Sequence, residues 1–244
     1  MEEGVIIVTG ASRGIGAAIA ESLAEAGHHV GCVSRSGAVP DRPTASDAVR
    51  ARWISAAADV TDADAVRGAF EKVAAGRRIV GLVNCAGLHT EGRSAEVTIE
   101  QWNELLATNA TSVVIASQAA YSSLSQGGGL IVNIGSFFDK LGVKRNLAYC
   151  ASKAAVGAIT RVLAVEWASR GIRVLNVAPG YIVTDLNRAV MSGPLGAYLE
   201  KRIPAGKPGS AEDVGKLVAA LYATQMQFLT GETIYVDGAQ GIAH

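Results

Sequence analysis

Short apolar runs alternate with longer segments along the chain. Seven runs have the length and composition of buried strands, and they lie at Val5–Val8, Val30–Ser34, Trp53–Ala57, Ile79–Asn84, Leu130–Gly135, Arg173–Ala178 and Thr233–Val236. Helices are predicted to fill the intervals, at Gly14–Ala26, Ala63–Ala75, Ile99–Ser123, Ala148–Ser169 and Ala211–Ala223. This alternation predicts an α/β fold with a doubly wound, seven-stranded parallel sheet and helices on both faces. The segment Val39–Arg52, interrupted by Pro40 and Pro43, is predicted to be a surface loop.

The length and the charge of the chain narrow the classes of function. Its 244 residues, 49% of them hydrophobic, can bury one substantial core, so we expect one domain spanning residues 1–244. The net charge is zero and no basic stripe stands out, which argues against nucleic acid or a membrane as a partner. The chain enters a strand almost at once, and no apolar stretch reaches the roughly 18 residues of a spanning helix. We therefore expect a cytoplasmic protein.

The three cysteines carry no evident chemistry. Cys32, Cys85 and Cys150 show neither the spacing of metal ligands nor a paired framework. Free cysteine behaves as a small buried hydrophobe. We expect no metal site and no catalytic cysteine.

A glycine-rich segment follows the first predicted strand. Thr9–Gly16 reads Thr-Gly-Ala-Ser-Arg-Gly-Ile-Gly and leads into a predicted helix, the order that opens a nucleotide-binding βαβ unit. We expect Gly10 to permit a tight turn, Gly14 to allow close approach of a pyrophosphate, and Gly16 to let helix and strand pack. The amino end of the helix offers unpaired N–H groups to the phosphates.

A second group of residues has the chemistry of a proton donor. Ser136 follows a predicted strand, and Tyr149 and Lys153 lie four residues apart in a predicted helix, so the phenol and the ammonium share one face. A free tyrosine has a pKa of about 10, and a nearby ammonium favours the phenolate and lowers that value. We therefore predict that Tyr149 acts as acid or base. Ser136 would bind the substrate oxygen, and Lys153 could also hold ribose hydroxyls of a nucleotide.

Together these segments resemble the short-chain dehydrogenase/reductase family over essentially the whole chain. Further motifs that carry the resemblance are Asp59-Val60, Asn84-Cys85-Ala86-Gly87, the helical Asn109, the thirteen-residue step from Ser136 to Tyr149, and Pro179-Gly180-Tyr181-Ile182-Val183-Thr184. The resemblance implies a Rossmann fold and an NAD(P)-dependent enzyme that interconverts a ketone and a secondary alcohol. It also implies that the catalytic residues are Asn109, Ser136, Tyr149 and Lys153, with Asn109 supporting the lysine through water.

The resemblance further implies the residues of a cofactor site. They are Gly10, Ser12, Arg13, Gly14, Ile15, Gly16, Ser34, Arg35, Ser36, Asp59, Val60, Asn84, Ala86, Gly87, Tyr149, Lys153, Pro179, Gly180, Ile182 and Thr184. Two positions depart from the family pattern, since Cys85 replaces a second Asn and Gly135 stands where a Ser often precedes Ser136. Neither change removes a side chain needed for proton transfer, so we expect effects on local packing rather than on activity.

The end of the second predicted strand indicates which cofactor is bound. Enzymes that prefer NAD generally place an acidic residue there, which binds the ribose hydroxyls and would repel a 2′-phosphate. Here Ser34, Arg35 and Ser36 follow one another, and Arg13 in the glycine loop adds a second cation. Arginine binds phosphate through a planar fork, and the serines could add hydrogen bonds. We therefore predict a preference for NADP(H) over NAD(H).

The substrate is predicted to be a small carbonyl or alcohol compound. Residues expected to ring the site are His89, Phe137, Phe138, Asn146 and Tyr181, and residues 186–203 occupy the place of the family's flexible substrate lid. Within the family, two segments resemble 3-oxoacyl carrier-protein reductases and polyol or sugar-acid dehydrogenases: Ala164–Ala168 and Thr230–Gly238. The balance tilts slightly toward 3-oxoacyl thioesters, because a basic loop, Lys140 to Arg145, could bind an acidic carrier protein.

The chain is expected to assemble with copies of itself. The resemblance implies a homotetramer, and the helix Ala148–Ser169 is apolar over much of its circumference, which suits a subunit contact.

Two rival classes of function are a noncatalytic NADP(H)-binding sensor and another glycine-loop enzyme such as a methyltransferase. A sensor would be expected to lose one of Ser136, Tyr149 and Lys153, and a methyltransferase has no use for the Tyr–Lys pair. The chain keeps all three side chains.

Overall fold

The computed structural model of the protein describes residues 4–185, 187–224 and 226–243. In these ranges the strands are β1 Val5–Thr9, β2 His29–Ser34, β3 Trp53–Ala57, β4 Ile79–Asn84, β5 Gly129–Ile134, β6 Ile172–Pro179, β7 Ile182–Val183, β8 Gly209–Ser210 and β9 Thr233–Val236. All but β7 and β8 form one seven-stranded sheet, and those two short strands pair with each other. The predicted sheet is confirmed, and each predicted strand lies within one residue of the observed bounds.

The strand order places two loops at one point. The order is β3-β2-β1-β4-β5-β6-β9, and all neighbouring strands are parallel. The direction in which the sheet grows reverses between β1 and β4, and a ligand cleft is expected outside the carboxyl ends at such a reversal. Thr9 at the end of β1 lies in register with Asn84 at the end of β4. The glycine loop and the Asn84–Gly87 turn therefore meet at this edge.

Helices connect the strands, with two departures from the prediction. The helices are α1 Gly14–Glu25, α2 Asp47–Arg50, α3 Ala63–Ala74, α4 Ile99–Leu106, α5 Ser112–Leu124, α6 Leu147–Trp167, α7 Arg188–Met191, α8 Pro194–Arg202 and α9 Ala211–Ala223. A single helix at Ile99–Ser123 was wrong, because a π-helical turn, Ala107–Thr111, separates α4 from α5. The predicted surface loop before β3 contains α2, which begins where Ser46 accepts a hydrogen bond from the Val49 N–H.

Helices cover both faces of the sheet, as predicted. Successive side chains of β1 point to opposite faces because a strand alternates with a period of two. On one face Ile6 packs among residues of α1 and α9 that include Ile19 and Val218. On the other face Ile7 packs among residues that include Phe70 of α3. All five side chains are buried. Because helices cover both faces of the sheet, the ends of the strands are left for a ligand site.

One helix in the described part of the chain meets the length and composition of a membrane span. It is Leu147–Arg170, which comprises α6 and a 3-10 extension, and the expectation that no segment reaches this length was wrong. A core helix passes the same test, and α6 packs against β6 while bringing Tyr149 and Lys153 to the strand ends. Its outer face exposes Val165, which is 81% accessible.

Candidate active site

The carboxyl ends of the strands open into a cleft of about 1180 Å³. Its wall contains every residue predicted for the cofactor except Asn84, together with Ser136, Tyr149 and Lys153. A second cavity, of about 420 Å³, lies at the opposite strand ends beside Arg173, and no predicted site residue lines it. The fold therefore collects the predicted residues at the switch between β1 and β4.

The glycine loop is shaped as the sequence predicts. Gly10 has a φ of 68°, which favours glycine, and a Cβ on Gly16 would lie 2.2 Å from the Gly10 carbonyl oxygen. At Gly14 the nearest neighbour of such a Cβ would be Thr184 Cγ2 at 3.8 Å, so the space before it is open. The helix α1 begins at Gly14 with no acidic residue in its first turn and no side-chain cap. Open space and free N–H groups at a helix start fit a pyrophosphate.

Ser136, Tyr149 and Lys153 converge on one point of the cleft. Ser136 lies just beyond β5, and the interaction of its side chain with the Tyr149 phenol lowers the pKa of that phenol. Lys153, one turn further along α6, places Nζ 5.7 Å from the centroid of the Tyr149 ring. The same Nζ donates a hydrogen bond of 2.9 Å to the Ile134 carbonyl oxygen. A phenol and a hydroxyl can thus bind a single substrate oxygen, with the ammonium close to the phenol.

The charge state of the free site differs from the sequence expectation. Burial raises the pKa of Tyr149, and the interaction with Ser136 offsets this only in part. Burial also lowers the pKa of Lys153, from 10.5 to about 8. Desolvation therefore outweighs the attraction that was expected to lower the tyrosine pKa, and that expectation is wrong for the protein without cofactor. The phenol is neutral at physiological pH, as a proton donor must be.

Asn109 lies in the π-helical turn and does not line the cleft. Its side chain clamps the backbone of Leu88: Oδ1 accepts from the Leu88 N–H at 2.7 Å, and Nδ2 donates to the Leu88 carbonyl at 2.9 Å. Nδ2 also donates to Ser152 Oγ at 3.1 Å. Asn109 thereby fixes the turn after β4 against the helix that carries Lys153. A water-mediated link to the lysine stays a prediction.

The residues predicted to bind a 2′-phosphate share one end of the cleft. Arg13, Ser34, Arg35 and Ser36 all line it, and Ser34 Oγ lies 3.4 Å from Ser36 Oγ. Both arginines are exposed, and neither forms an ion pair with another described residue. Two cations that form no ion pair within the described part of the chain make this end attractive to phosphate.

Asp59 lies close enough to Arg35 for their charges to interact. Its Oδ1 accepts from both the N–H and the hydroxyl of Thr61, at 2.9 and 2.7 Å. These hydrogen bonds, and to a smaller degree the charge of Arg35, lower the pKa of the Asp59 carboxyl. Sequence reasoning missed Thr61, although an Asp followed two residues later by Thr is a common turn signal.

The structure places Asn84 behind the cleft wall. Its Nδ2 donates to Asn133 Oδ1 at 2.8 Å and to Ser117 Oγ at 3.3 Å, and the residue is buried. The side chain therefore joins β4 to β5 and α5, and it does not line the cleft. A cofactor contact of Asn84 stays a prediction. Cleft residues that the sequence did not single out include Glu104, Thr108, Asn187 and Met191.

Aromatic side chains surround the phenol on the substrate side. Phe138 and His89 both contact the Tyr149 ring edge-to-face, with centroids 5.9 and 4.6 Å away. Phe137 and Tyr181 pack together at 5.5 Å and complete this wall. Four of the five predicted substrate residues thus line the cleft, and the fifth, Asn146, lies behind His89 and is bonded to it.

The predicted substrate lid begins at Leu186, which lies outside the described residues. The remainder of the segment contains α7 and α8. Asn187 anchors its start, since Oδ1 accepts from the Thr184 N–H and Nδ2 donates to the Ile182 carbonyl, each at 2.8 Å. Met191 brings the end of α7 to the cleft.

Comparison with known proteins decides the family. The model of the family described as enoyl-(acyl carrier protein) reductase matches residues 10–239. The chain belongs to the short-chain dehydrogenase/reductase family. It is therefore an oxidoreductase that acts on alcohol or ketone groups and binds NAD(P).

Relatives of this oxidoreductase are named for different substrates. The chain is 37% identical to the 3-oxoacyl-(acyl-carrier-protein) reductase of Escherichia coli over 238 residues, which cover 96% of each chain. It is 34% identical to the D-threitol dehydrogenase of Mycolicibacterium smegmatis over 241 residues, 98% of this chain and 93% of the relative. Its fold is similar, with a TM-score of 0.86 and 32% identity, to a candidate NAD(P)-dependent gluconate 5-dehydrogenase of Beutenbergia cavernae with bound NADP at low occupancy. That alignment covers 100% of this chain and 98% of the other.

The structure shows the surroundings of the two positions that depart from the family pattern. A Cβ on Gly135 would lie 2.5 Å from Asn176 Oδ1, so Asn176 fills the space that a serine would need. Cys85 lines the cleft while its backbone N–H donates to Thr9 Oγ1 at 3.1 Å. Burial raises the pKa of its thiol to about 12, so the thiol stays protonated. The dehydrogenase/reductase site therefore keeps its proton-transfer groups intact.

Proposed function

We propose that the protein is an NADP(H)-dependent oxidoreductase that interconverts a ketone and a secondary alcohol, with Tyr149 as acid and base. The observation that carries this proposal is the convergence of Ser136, Tyr149 and Lys153 on the wall of a cleft whose other end holds the glycine loop. A noncatalytic sensor would not need this arrangement.

Each residue of the site has a role in reduction. NADPH, when bound, supplies the hydride. Ser136 and Tyr149 bind the carbonyl oxygen, and Tyr149 gives its proton to that oxygen as negative charge develops there. The buried Lys153 ammonium then stabilises the phenolate that remains. In the oxidation direction the phenolate takes the proton back from the alcohol.

The preference for NADP(H) is supported by Arg13 and Arg35. Both line the cleft where β2 ends, and neither is neutralised by an ion pair within the described residues. The structure of the Beutenbergia cavernae protein, which has bound NADP, is consistent with this preference.

Two substrate classes have support. The aromatic wall of Phe137, Phe138 and Tyr181 and the identity to the Escherichia coli reductase favour a 3-oxoacyl thioester. The basic loop expected to bind an acidic carrier supports this less, because Lys140 lies 3.6 Å above the Tyr235 ring and Arg145 pairs with Glu91 at 3.8 Å.

A polyol or sugar-acid substrate is the second candidate. The polar pair of His89 and Asn146 lies beside the phenol and could bind a substrate hydroxyl. The D-threitol dehydrogenase relative agrees with this choice.

A substrate panel tests the function. The purified protein is mixed with NADPH and, in turn, with 3-oxoacyl thioesters, cyclic ketones, diketones and keto-sugars, and the loss of NADPH absorbance is followed. We expect turnover with at least one class and none with the Tyr149→Phe variant. NADPH that binds but is not oxidised with any compound would favour the sensor instead.

A homotetramer and a cytoplasmic location are further parts of the proposal. The tetramer is supported by apolar side chains on the outer face of α6, where Val162 and Val165 are exposed, and by Phe228 near β9. A solution mass from light scattering tests it, and the mass of a monomer would reject it.

A further inference from the structure

His89 and Asn146 form a polar pair beside the reacting phenol. His89 Nε2 lies 2.6 Å from Asn146 Oδ1. The imidazole meets the Tyr149 ring at an interplanar angle of 75° with the centroids 4.6 Å apart. His89 lines the cleft, whereas Asn146 is 5% exposed. His89 is thus exposed to the cleft, and the buried Asn146 holds it from behind.

The surroundings of Asn146 determine which imidazole nitrogen carries the hydrogen. Asn146 Nδ2 donates to the Lys144 carbonyl oxygen at 3.0 Å. The opposite amide orientation would set two oxygens against each other, so Oδ1 must face His89. An amide oxygen only accepts, and Nε2 therefore carries the hydrogen. In the neutral imidazole Nδ1 is then an acceptor, and no described residue forms a hydrogen bond with it.

The backbone around Asn146 holds this orientation. Arg145 has a φ of 67°, a left-handed conformation that is uncommon outside glycine. Its carbonyl accepts from the Gly92 N–H at 2.9 Å, which ties this loop to the loop that carries His89. Asn146 also precedes α6, where an asparagine usually caps the helix, yet its side chain makes no capping bond. The side-chain amide of Asn146 bonds to His89 instead of capping the helix.

We propose that His89 is a specificity residue whose Nδ1 accepts a hydrogen bond from a substrate hydroxyl near the reacting carbonyl, so that the substrates are hydroxylated ketones and the matching polyols. A 3-oxoacyl chain presents C–H groups and carbonyl oxygens at this place, and neither donates to an acceptor. Asn146 is the positioning residue that keeps Nδ1 free of hydrogen. This inference rests on the proposed function and selects between its two substrate classes.

Three small ketones test the hydrogen bond. Hydroxyacetone can donate from its hydroxyl, methoxyacetone has a similar electron-withdrawing group but cannot donate, and butan-2-one has neither. We expect kcat/KM for hydroxyacetone to exceed that for methoxyacetone about fivefold, because its hydroxyl can form one hydrogen bond with Nδ1 that the ether cannot form. Equal values for these two ketones would overturn the inference and leave the proposed function standing. If no ketone in this set or in the wider panel is reduced, both fall.

Variants show whether the preference comes from His89. His89→Phe keeps a ring against Tyr149 but removes the acceptor, and it should bring the hydroxyacetone to methoxyacetone ratio close to one. Asn146→Asp should lower the same ratio although the histidine is present, because a carboxylate favours the imidazolium, whose Nδ1 carries a hydrogen. The neighbouring Thr90→Val is the matched control and should keep the wild-type ratio. A ratio that survives in His89→Phe would overturn the inference.

The tautomer can be read without turnover. Nitrogen-15 chemical shifts of the imidazoles, assigned by their loss in His89→Phe, should give a protonated Nε2 and a bare Nδ1 for His89 at pH 8. A protonated Nδ1 at that pH would contradict the inference independently of any activity.

Discussion

Lys153 Nζ lies 5.7 Å from the centroid of the Tyr149 ring and donates a hydrogen bond to the Ile134 carbonyl rather than to the phenol. The ammonium is therefore placed to act through its charge. Because desolvation disfavours the charged form of each group, the free protein holds a neutral phenol and a lysine whose pKa is lowered to about 8. The ammonium stabilises the phenolate fully only after the proton has left the Tyr149 phenol.

Tyr149→Phe should remove catalysis and spare cofactor binding. The variant keeps the ring that packs against His89 and Phe138 but loses the proton. We expect kcat to fall by at least about 10²-fold, with NADPH affinity measured by fluorescence titration nearly unchanged. Tyr198→Phe, on the exposed side of α8, is the matched control. Normal turnover by Tyr149→Phe would reject the acid assignment.

The Tyr149 phenolate should form only at high pH in the free protein. Burial raises its pKa above the ordinary value of 10.0, and a bound NADP⁺ brings a positive pyridinium ring that would lower it. The ultraviolet titration curve of the Tyr149→Phe variant is subtracted from that of the wild type, so that the difference reports on this one phenol. We expect the phenolate to form above pH 10 without NADP⁺ and at a lower pH with it. A phenolate already present at pH 8 in the free protein would contradict the effect of burial.

Lys153 should make the free protein less stable at neutral pH. Its pKa falls from 10.5 in the unfolded chain to about 8 in the folded protein, so the unfolded chain binds the proton more tightly. The resulting cost, about 3 kcal/mol, is complete below pH 8 and disappears as the pH rises from 8 to 10.5. In urea denaturation, Lys153→Met should exceed the wild type in stability most at pH 7 and least at pH 10. A difference that does not vary with pH would show that the lysine does not titrate in this range.

The features that the sequence predicted either depend on neighbouring residues or follow from the regular recurrence of short apolar runs along the chain. The seven strands follow from short apolar runs, and Tyr149 shares a helix face with Lys153 because residues four apart always do. Gly10 and Gly16 are fixed by the turn between β1 and α1, which the loop motif contains in full. Each of these needs only neighbouring residues.

The features that the sequence missed depend on distant partners. The π-helical turn at Asn109 arises where that side chain clamps Leu88, 21 residues earlier. The raised pKa of Tyr149 comes from burial by segments that include His89 and Phe138. The bond between His89 and Asn146 spans 57 residues. No periodic pattern along the chain indicates these contacts between residues that are distant in the sequence.

Arg35→Asp should move the cofactor preference toward NADH. A carboxylate at the end of β2 would bind ribose hydroxyls and repel a 2′-phosphate. We expect the ratio of kcat/KM for NADPH to that for NADH to fall by at least about tenfold, since charge-assisted hydrogen bonds contribute this much. Arg67→Asp makes the same charge change on the surface of α3 and should leave the ratio as it is. An unchanged ratio in Arg35→Asp would place the phosphate pocket elsewhere.

Gly135→Ser should destabilise the protein, although serine often occupies this position in the family. The new Cβ would lie 2.5 Å from Oδ1 of Asn176, a fully buried side chain whose Nδ2 donates to Thr233 Oγ1 at 3.1 Å. Overpacking of this kind costs about 1–3 kcal/mol, measurable by urea denaturation. Gly135→Ala should lose a similar amount, because the clash comes from Cβ rather than from the hydroxyl. Adding Asn176→Ala makes room, so the double variant should be more stable than the sum of the single losses. Strict additivity would mean that the two side chains do not compete for this space.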